Sequence, residues 1–304
     1  MRGCSEREKK RAPGVPLKDA VATVGGGRRI SYTDLGDPNG PCLFFFHGAP
    51  MSRLHLVGLD EQLSSRGIRV ISPDRPAYGH SSPQPRRALT DWPADVSALA
   101  DAHGIERFVV AGHSSGGPYA IACAALLPER VSAALVLAGV TDMGWPGAWE
   151  GYLEVEALLM RLGAEEDVLA WCVEHFGADA SRFEEAFPFH WPEPDRALLA
   201  DANAAASIGS SVAEAFRQGV AGYAQDVFVQ GRPWPFEPEA IRAPVEIVHG
   251  ESDTVVPMAH SRHTARSIPG ARLRTLPGHG HLTIVAELPA LAAALVAPRR
   301  SPDQ

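Results

Sequence analysis

Four cysteines stand among 304 residues, and Cys4, Cys42, Cys123 and Cys172 are far apart with no Cys-x-x-Cys pair. They read as free thiols, as expected of a cytoplasmic protein. Long apolar runs are missing as well, since no stretch approaches the roughly 18 to 20 residues of a membrane span. The opening Met1 to Lys18 is charged and proline-bearing without an apolar export core, so a flexible tail over 1–18 is expected. Basic patches are lacking too. Lys and Arg number 28 against 36 Asp and Glu, a net charge of −8, and beyond the leader the basic residues are scattered, which excludes a nucleic-acid footprint. No Gly-x-Gly-x-x-Gly or Walker pattern occurs, so no cofactor is expected. His260-x-x-His263 and His279-x-His281 lack the carboxylate or cysteine partners that zinc requires, and no metal is expected.

What is present is a β-α-β rhythm. Two strands around Ala20–Val24 and Arg28–Asp34 flank Gly25-Gly26-Gly27 and read as an antiparallel edge pair. The runs at Cys42–Phe46, Val70-Ile71, Phe108–Ala111 and Ala133–Leu137 are short and continuously apolar, as in strands buried on both faces of a parallel sheet. Helical patterns lie between them at Leu54–Arg66, Asp91–His103 and Ser115–Leu127, which makes this an α/β layered fold. The alternation stops over 141–226, where the pattern is helical and about half of the chain's aromatic residues collect, Phe187 among them. Strand signals return at Val245–Val248 and Ala271–Thr275, with helices at Met258–Ser267 and Thr283–Val296. The expected organisation is a core of 19–140 and 227–304 with a helical cap, 141–226, inserted after the sixth strand. The cap's aromatics serve either its own small core or an apolar pocket wall.

Val109-Val110-Ala111-Gly112-His113-Ser114-Ser115-Gly116-Gly117-Pro118 runs from an apolar strand through Gly-x-Ser-x-Gly into an alanine-rich helix and reads as a nucleophile elbow. The turn would hold Ser114 in a strained conformation, with Gly112 and Gly116 where a Cβ would not fit and the Ser115 N–H facing a developing oxyanion. Serine needs a base and a group to orient it. Asp253 follows the seventh strand, and His279 and His281 follow the eighth, so the chain order is Ser, Asp, His.

With Phe46-His47-Gly48-Ala49-Pro50, Pro73-Asp74-Arg75-Pro76-Ala77-Tyr78-Gly79-His80-Ser81, the elbow, Gly250-x-x-Asp253 and Gly280-His281 in this order, the chain resembles the α/β-hydrolase superfamily of the capped Ser-His-Asp type. The resemblance covers about Arg28 to Val296. It implies an α/β-hydrolase fold, a mostly parallel eight-stranded sheet flanked by helices. It further implies Ser114, Asp253 and His281 as the catalytic triad, and the backbone N–H groups of Ala49 and Ser115 as the oxyanion hole. His279 competes with His281 as base. Asp142, after the sixth strand, competes with Asp253, whose plainer role is that of a turn or N-cap aspartate. The pattern pairs His281 with Pro277 upstream and Glu287 downstream. Two departures bear on substrate shape: Met51 stands where glycine is common and could narrow the acyl pocket, and Ala77 also replaces a glycine. Trp145 and Trp149 join Met51 as expected substrate-binding residues.

The function implied is hydrolysis of a small-to-medium apolar carboxylic ester through an acyl-enzyme, with a small-molecule ester or related acyl substrate as the expected partner and neither nucleic acid nor a membrane span. Lactonase, thioesterase, amidase or iminopeptidase, carbon–carbon bond hydrolase and cofactor-free perhydrolase chemistry use the same machinery. Serine at the elbow argues against dehalogenases and epoxide hydrolases, which carry aspartate there. A ligand receptor with little turnover is the competing class. A tailoring enzyme acting on a carrier-bound substrate is a third option, and it would call for a basic docking patch that the sequence does not display.

Overall fold

The computed structural model describes residues 20–186 and 189–296. The expected tail at 1–18, with Cys4, and also Phe187 and Pro188 lie outside the described residues. Strands β1 (Ala20–Thr23), β2 (Arg29–Gly36), β3 (Cys42–Phe46), β4 (Arg69–Pro73), β5 (Phe108–His113), β6 (Val131–Leu137), β7 (Val245–Gly250) and β8 (Arg272–Leu276) form one sheet. Among the described residues its order is β1-β2-β4-β3-β5-β6-β7-β8. β2 pairs antiparallel with β1 and β4, and every other pairing is parallel. Between β1 and β2 the chain turns at Gly26 and Gly27, with φ of 69° and 73°, a region that costs glycine nothing sterically.

The central strands are apolar at consecutive positions because both faces are covered. Alternate residues serve opposite cores. Phe44, Phe46 and Val110 pack under helices α2 (Trp92–Ala102) and α3 (Gly117–Leu126). Leu43, Phe45, Val109 and Ala111 pack with Leu63 of α1 (Asp60–Ser65) and Leu288, Leu291 and Ala292 of α11 (Leu288–Val296). Phe44, Phe45 and Phe46 are fully buried, each worth about 1.5–3 kcal/mol in apolar transfer.

Between β6 and β7 come α4 (Glu154–Met160), α5 (Glu165–Phe176), α6 (Phe183–Ala186), α7 (Glu193–Ala200), α8 (Ala202–Ala215) and α9 (Ala221–Gln230). They enclose a separate cluster in which Phe176, Phe183, Phe216 and Tyr223 meet ring to ring. The boundary expected at 226 falls inside α9. Its Tyr223, Ala224 and Val227 join the insertion's cluster while Val229 joins the main core, so one continuous helix serves both.

Two expected helices begin differently. The segment from Leu54 opens as a 3₁₀ turn, Arg53–Leu59, with Ser52 Oγ accepting the Leu54 N–H, before α1; the segment from Thr283 is 3₁₀ to Glu287 before α11. In the second, Pro289 near the start of α11 has no N–H for the preceding turn. α10 (Met258–Ser267) matches the expected span. Among the described residues no helix is long and apolar enough to cross a membrane. Cys42, Cys123 and Cys172 are free and buried, and burial pushes the Cys42 and Cys172 thiols up to about 12.

Candidate active site

Ser114 stands immediately after the central strand β5, with φ of +54°. A Cβ on Gly112 would lie 2.1 Å from the Gly116 carbonyl oxygen, and one on Gly116 would lie 2.1 Å from that of Phe46. The two glycines are therefore a steric condition for a turn this sharp. Ser115 occupies the first turn of the following helix, where N–H groups lack intrahelical acceptors.

The loops after β7 and β8 bring the other two residues to the same edge of the sheet. His281 Nδ1 donates to Asp253 Oδ2 at 2.8 Å, and the Asp253 side chain is fully buried. Asp253 Oδ1 accepts the N–H groups of Val255 and Val256 at 2.8 and 3.0 Å. One oxygen thus orders the turn while the other holds the imidazole. It does not cap α10, whose N-cap is Pro257. Burial pushes the Asp253 carboxyl up, but the charge and hydrogen bond of His281 bring it below its ordinary value. For His281 burial works downward, and the Asp253 charge and hydrogen bond, followed by the charges of Asp195 and Glu156, raise it above its ordinary value.

The rivals are engaged elsewhere. Asp142 Oδ1 accepts the N–H groups of Gly144 and Trp234 at 2.9 and 3.0 Å. His279 bonds the Pro277 carbonyl at 3.1 Å, and Glu287 sits 3.4 Å from its Nε2 rather than beside His281. His260 meets the Ala148 carbonyl at 2.7 Å, and His263 stacks on Trp145.

The loop bearing Ala49 lies against Ser114: a Cβ on Gly48 would be 3.4 Å from Ser114 Cβ. Its fastening is a buried arginine. Arg75 donates to the His47 carbonyl at 2.5 Å, and its Nε donates to Asp226 Oδ2 at 2.6 Å. Arg87 pairs with the second oxygen of Asp226, which also accepts the Tyr119 hydroxyl. Burial alone would raise the Asp226 carboxyl, yet Arg75 and Arg87 hold it well below the ordinary range. His47 is buried, its Nδ1 donating to the Gly48 carbonyl at 2.7 Å, and burial, with the Arg75 charge behind it, holds its imidazole well below the ordinary value. His113 Nε2 donates to the His281 carbonyl at 2.9 Å, which braces the His281 backbone.

Ser114, Ser115, Ala49, Met51 and His281 line one cavity of about 450 Å³. The insertion supplies much of its wall through Tyr152, Phe183, Phe189 and Trp191, so its aromatics serve both its own cluster and the pocket. Trp145 and Trp149 do not line it. The first lies flat on His263 at 4.3 Å, and the second sits under the Arg161 guanidinium at 4.4 Å. Both come soon after β6, and their partners lie on α10, for His263, and just past the end of α4, for Arg161.

Arg75 falls within the Asp74-Arg75-Pro76 run already singled out, so its importance had a signal. Asp195 had none: on α7 it reads as an ordinary first-turn acid. Its buried carboxylate accepts the N–H groups of His281, Leu282 and Thr283 at 2.7, 3.1 and 3.0 Å.

Residues 41–287 match the sequence pattern of the alpha/beta hydrolase fold family. The chain therefore belongs to that family and is an enzyme of the hydrolase class. It is 26% identical over 279 residues to a bifunctional esterase/perhydrolase of Acinetobacter calcoaceticus, covering 87% of this chain and 94% of that one. It is also 26% identical to a proline iminopeptidase of Xylella fastidiosa, over 88% of this chain and 91% of the other. Among solved structures, epoxide hydrolase A of Mycobacterium thermoresistibile superimposes with a TM-score of 0.70 at 22% identity, over 92% and 97% of the two chains, a likeness of fold.

Proposed function

We propose that the chain is a serine hydrolase that cleaves small-to-medium apolar carboxylic esters through an acyl-enzyme. The observation that carries this is the bond from His281 Nδ1 to buried Asp253, with His281 opening on the same cavity as a strained Ser114. With Nδ1 committed to the carboxylate, Nε2 is the nitrogen free to take a proton. Ser114 Oγ attacks the ester carbonyl as Nε2 removes its proton, and the oxyanion falls to the N–H groups of Ala49 and Ser115. Such donors are worth about 3–4 kcal/mol each in comparable sites. The alcohol leaves with the proton held by His281. Water then enters, gives its proton to the same nitrogen, and attacks the acyl-enzyme, and collapse returns Ser114 and the acid product.

Ser114 is only 8% exposed, so substrate reaches it through the cavity, whose aliphatic and aromatic wall favours an apolar acyl or alcohol group. A side-by-side screen of p-nitrophenyl esters of graded chain length, lactones and aminoacyl amides tests the reading, with the Ser114→Ala protein as control. Steady turnover of esters that vanishes in the control supports it. A single covalent event per chain points to a receptor, and turnover of amides or lactones alone points to another leaving group.

A further inference from the structure

Most of the cavity wall is apolar, so the few polar groups on it decide which substrates are matched. α4 presents Glu156 and Met160, one turn apart, and α9 presents Val227 and Gln230. The Glu156 carboxylate accepts the Tyr152 hydroxyl at 2.5 Å and the Tyr223 hydroxyl at 3.3 Å. No arginine among the described residues pairs with it. Burial raises this carboxyl above its ordinary value, while the two hydroxyls and His281 oppose that rise. Gln230 is 4% exposed, and its Oε1 is buried with no hydrogen-bond partner among the described residues.

A buried acceptor without a donor is unfavourable in the empty protein, and a ligand that donates to it removes that penalty. A ligand carboxylate faces the opposite situation. Glu156 and Glu184 are the carboxyl groups on the described wall, and no arginine lies there to receive an acid.

We propose that Glu156 and Gln230 form a polar subsite that selects substrates whose apolar body carries a hydrogen-bond-donating group, a hydroxyl or an amino group, and disfavours those carrying a carboxylate. The proposal rests on the ester-binding reading of this cavity and adds the substrate class to it.

Binding and turnover are read separately. The Ser114→Ala protein is titrated calorimetrically with ethyl hexanoate, its 3-hydroxy, 6-hydroxy and 6-amino derivatives, and monoethyl adipate. At least one donor-bearing ester should bind about tenfold or more tightly than ethyl hexanoate, and monoethyl adipate should bind most weakly. Adding Gln230→Leu should bring a hydroxy ester toward parity with ethyl hexanoate. Adding Glu156→Gln should weaken the amino ester more than the hydroxy esters, which separates the cationic donor from the neutral one. Equal affinities across the series, adipate binding as tightly as hexanoate, or no measurable binding of any ester overturns the subsite. So does a donor preference that survives both substitutions together. The ligand ranking within the one Ser114→Ala protein stands even if a further variant fails to fold. Selective binding without turnover by the parent would sink the ester reading and leave the subsite. Turnover with no selectivity would do the reverse.

Discussion

The carboxylate of Asp195, on helix α7 of the insertion, accepts the backbone N–H of His281 at 2.7 Å across 86 residues of sequence. It also takes the next two backbone N–H groups and the Thr283 hydroxyl, so a residue of the insertion caps the segment that carries His281. A Cβ on Gly280 would lie 2.4 Å from the same carboxylate, which shows how closely the two segments meet. Asp195→Ala should remove a cap worth about 1–2 kcal/mol in folding and lower kcat more than it changes KM. Asp195→Asn should do less harm and shift the acid limb of the pH profile to lower pH, because one of the charges that raise His281 is gone. An unchanged profile with unchanged kcat would show that Asp195 is needed for folding alone.

The pH dependence follows from His281. As the proposed base it acts when neutral, and the nearby carboxylates favour its protonated form, so kcat/KM should fall with decreasing pH through a value above the ordinary imidazole range near 6.5. Asp253→Asn removes the strongest of these influences. It should move that limb downward and cost roughly 10⁴ in kcat by losing the tautomer and the stabilised imidazolium.

Ser114→Ala and His281→Ala should each lower kcat by about 10⁴ to 10⁶ while the circular dichroism spectrum and melting temperature stay close to those of the parent. His279→Ala, which touches Glu287 and a loop carbonyl, should be nearly neutral. Loss of activity in His279→Ala with retention in His281→Ala would reverse the assignment of the base.

The buried group of Arg75, Arg87 and Asp226 joins the loop bearing His47, Gly48 and Ala49 to α9. Arg75→Met would leave a fully buried Asp226 with one cation and free the loop carbonyls. A loss of about 3–5 kcal/mol is expected on breaking such a pair, read as a lower urea midpoint. Activity should also fall at temperatures where the variant remains folded.

Met51 lines the cavity, so Met51→Gly should move the optimum toward bulkier acyl groups in a chain-length series. Trp149→Ala should leave the chain-length optimum where it was, because that indole lies under Arg161 outside the wall. A shift with Trp149→Ala and none with Met51→Gly would mean the acyl group occupies a different part of the insertion.

Local chemistry made much of this protein legible before any coordinates. The β-branched run into Gly112-His113-Ser114-Ser115-Gly116 dictates a strand, a strained turn and a helix within ten residues, and the structure places Ser114 at φ +54° in a turn that the flanking glycines permit. Apolar strands alternating with helical patterns likewise foretold the sheet, since a strand covered on both faces leaves few polar positions. Tertiary structure alone decided what depends on segments far apart. Nothing around Asp195 announces that it will cap His281, because the donors it satisfies are backbone N–H groups, which carry no residue signature. Asp226 is one acid in an amphipathic helix until Arg75 and Arg87 converge on it. Aromatic composition could not tell Trp145 and Trp149 from Phe189 and Trp191, since all bury apolar area. Which rings face the cavity was set by the path of the chain over the sheet edge.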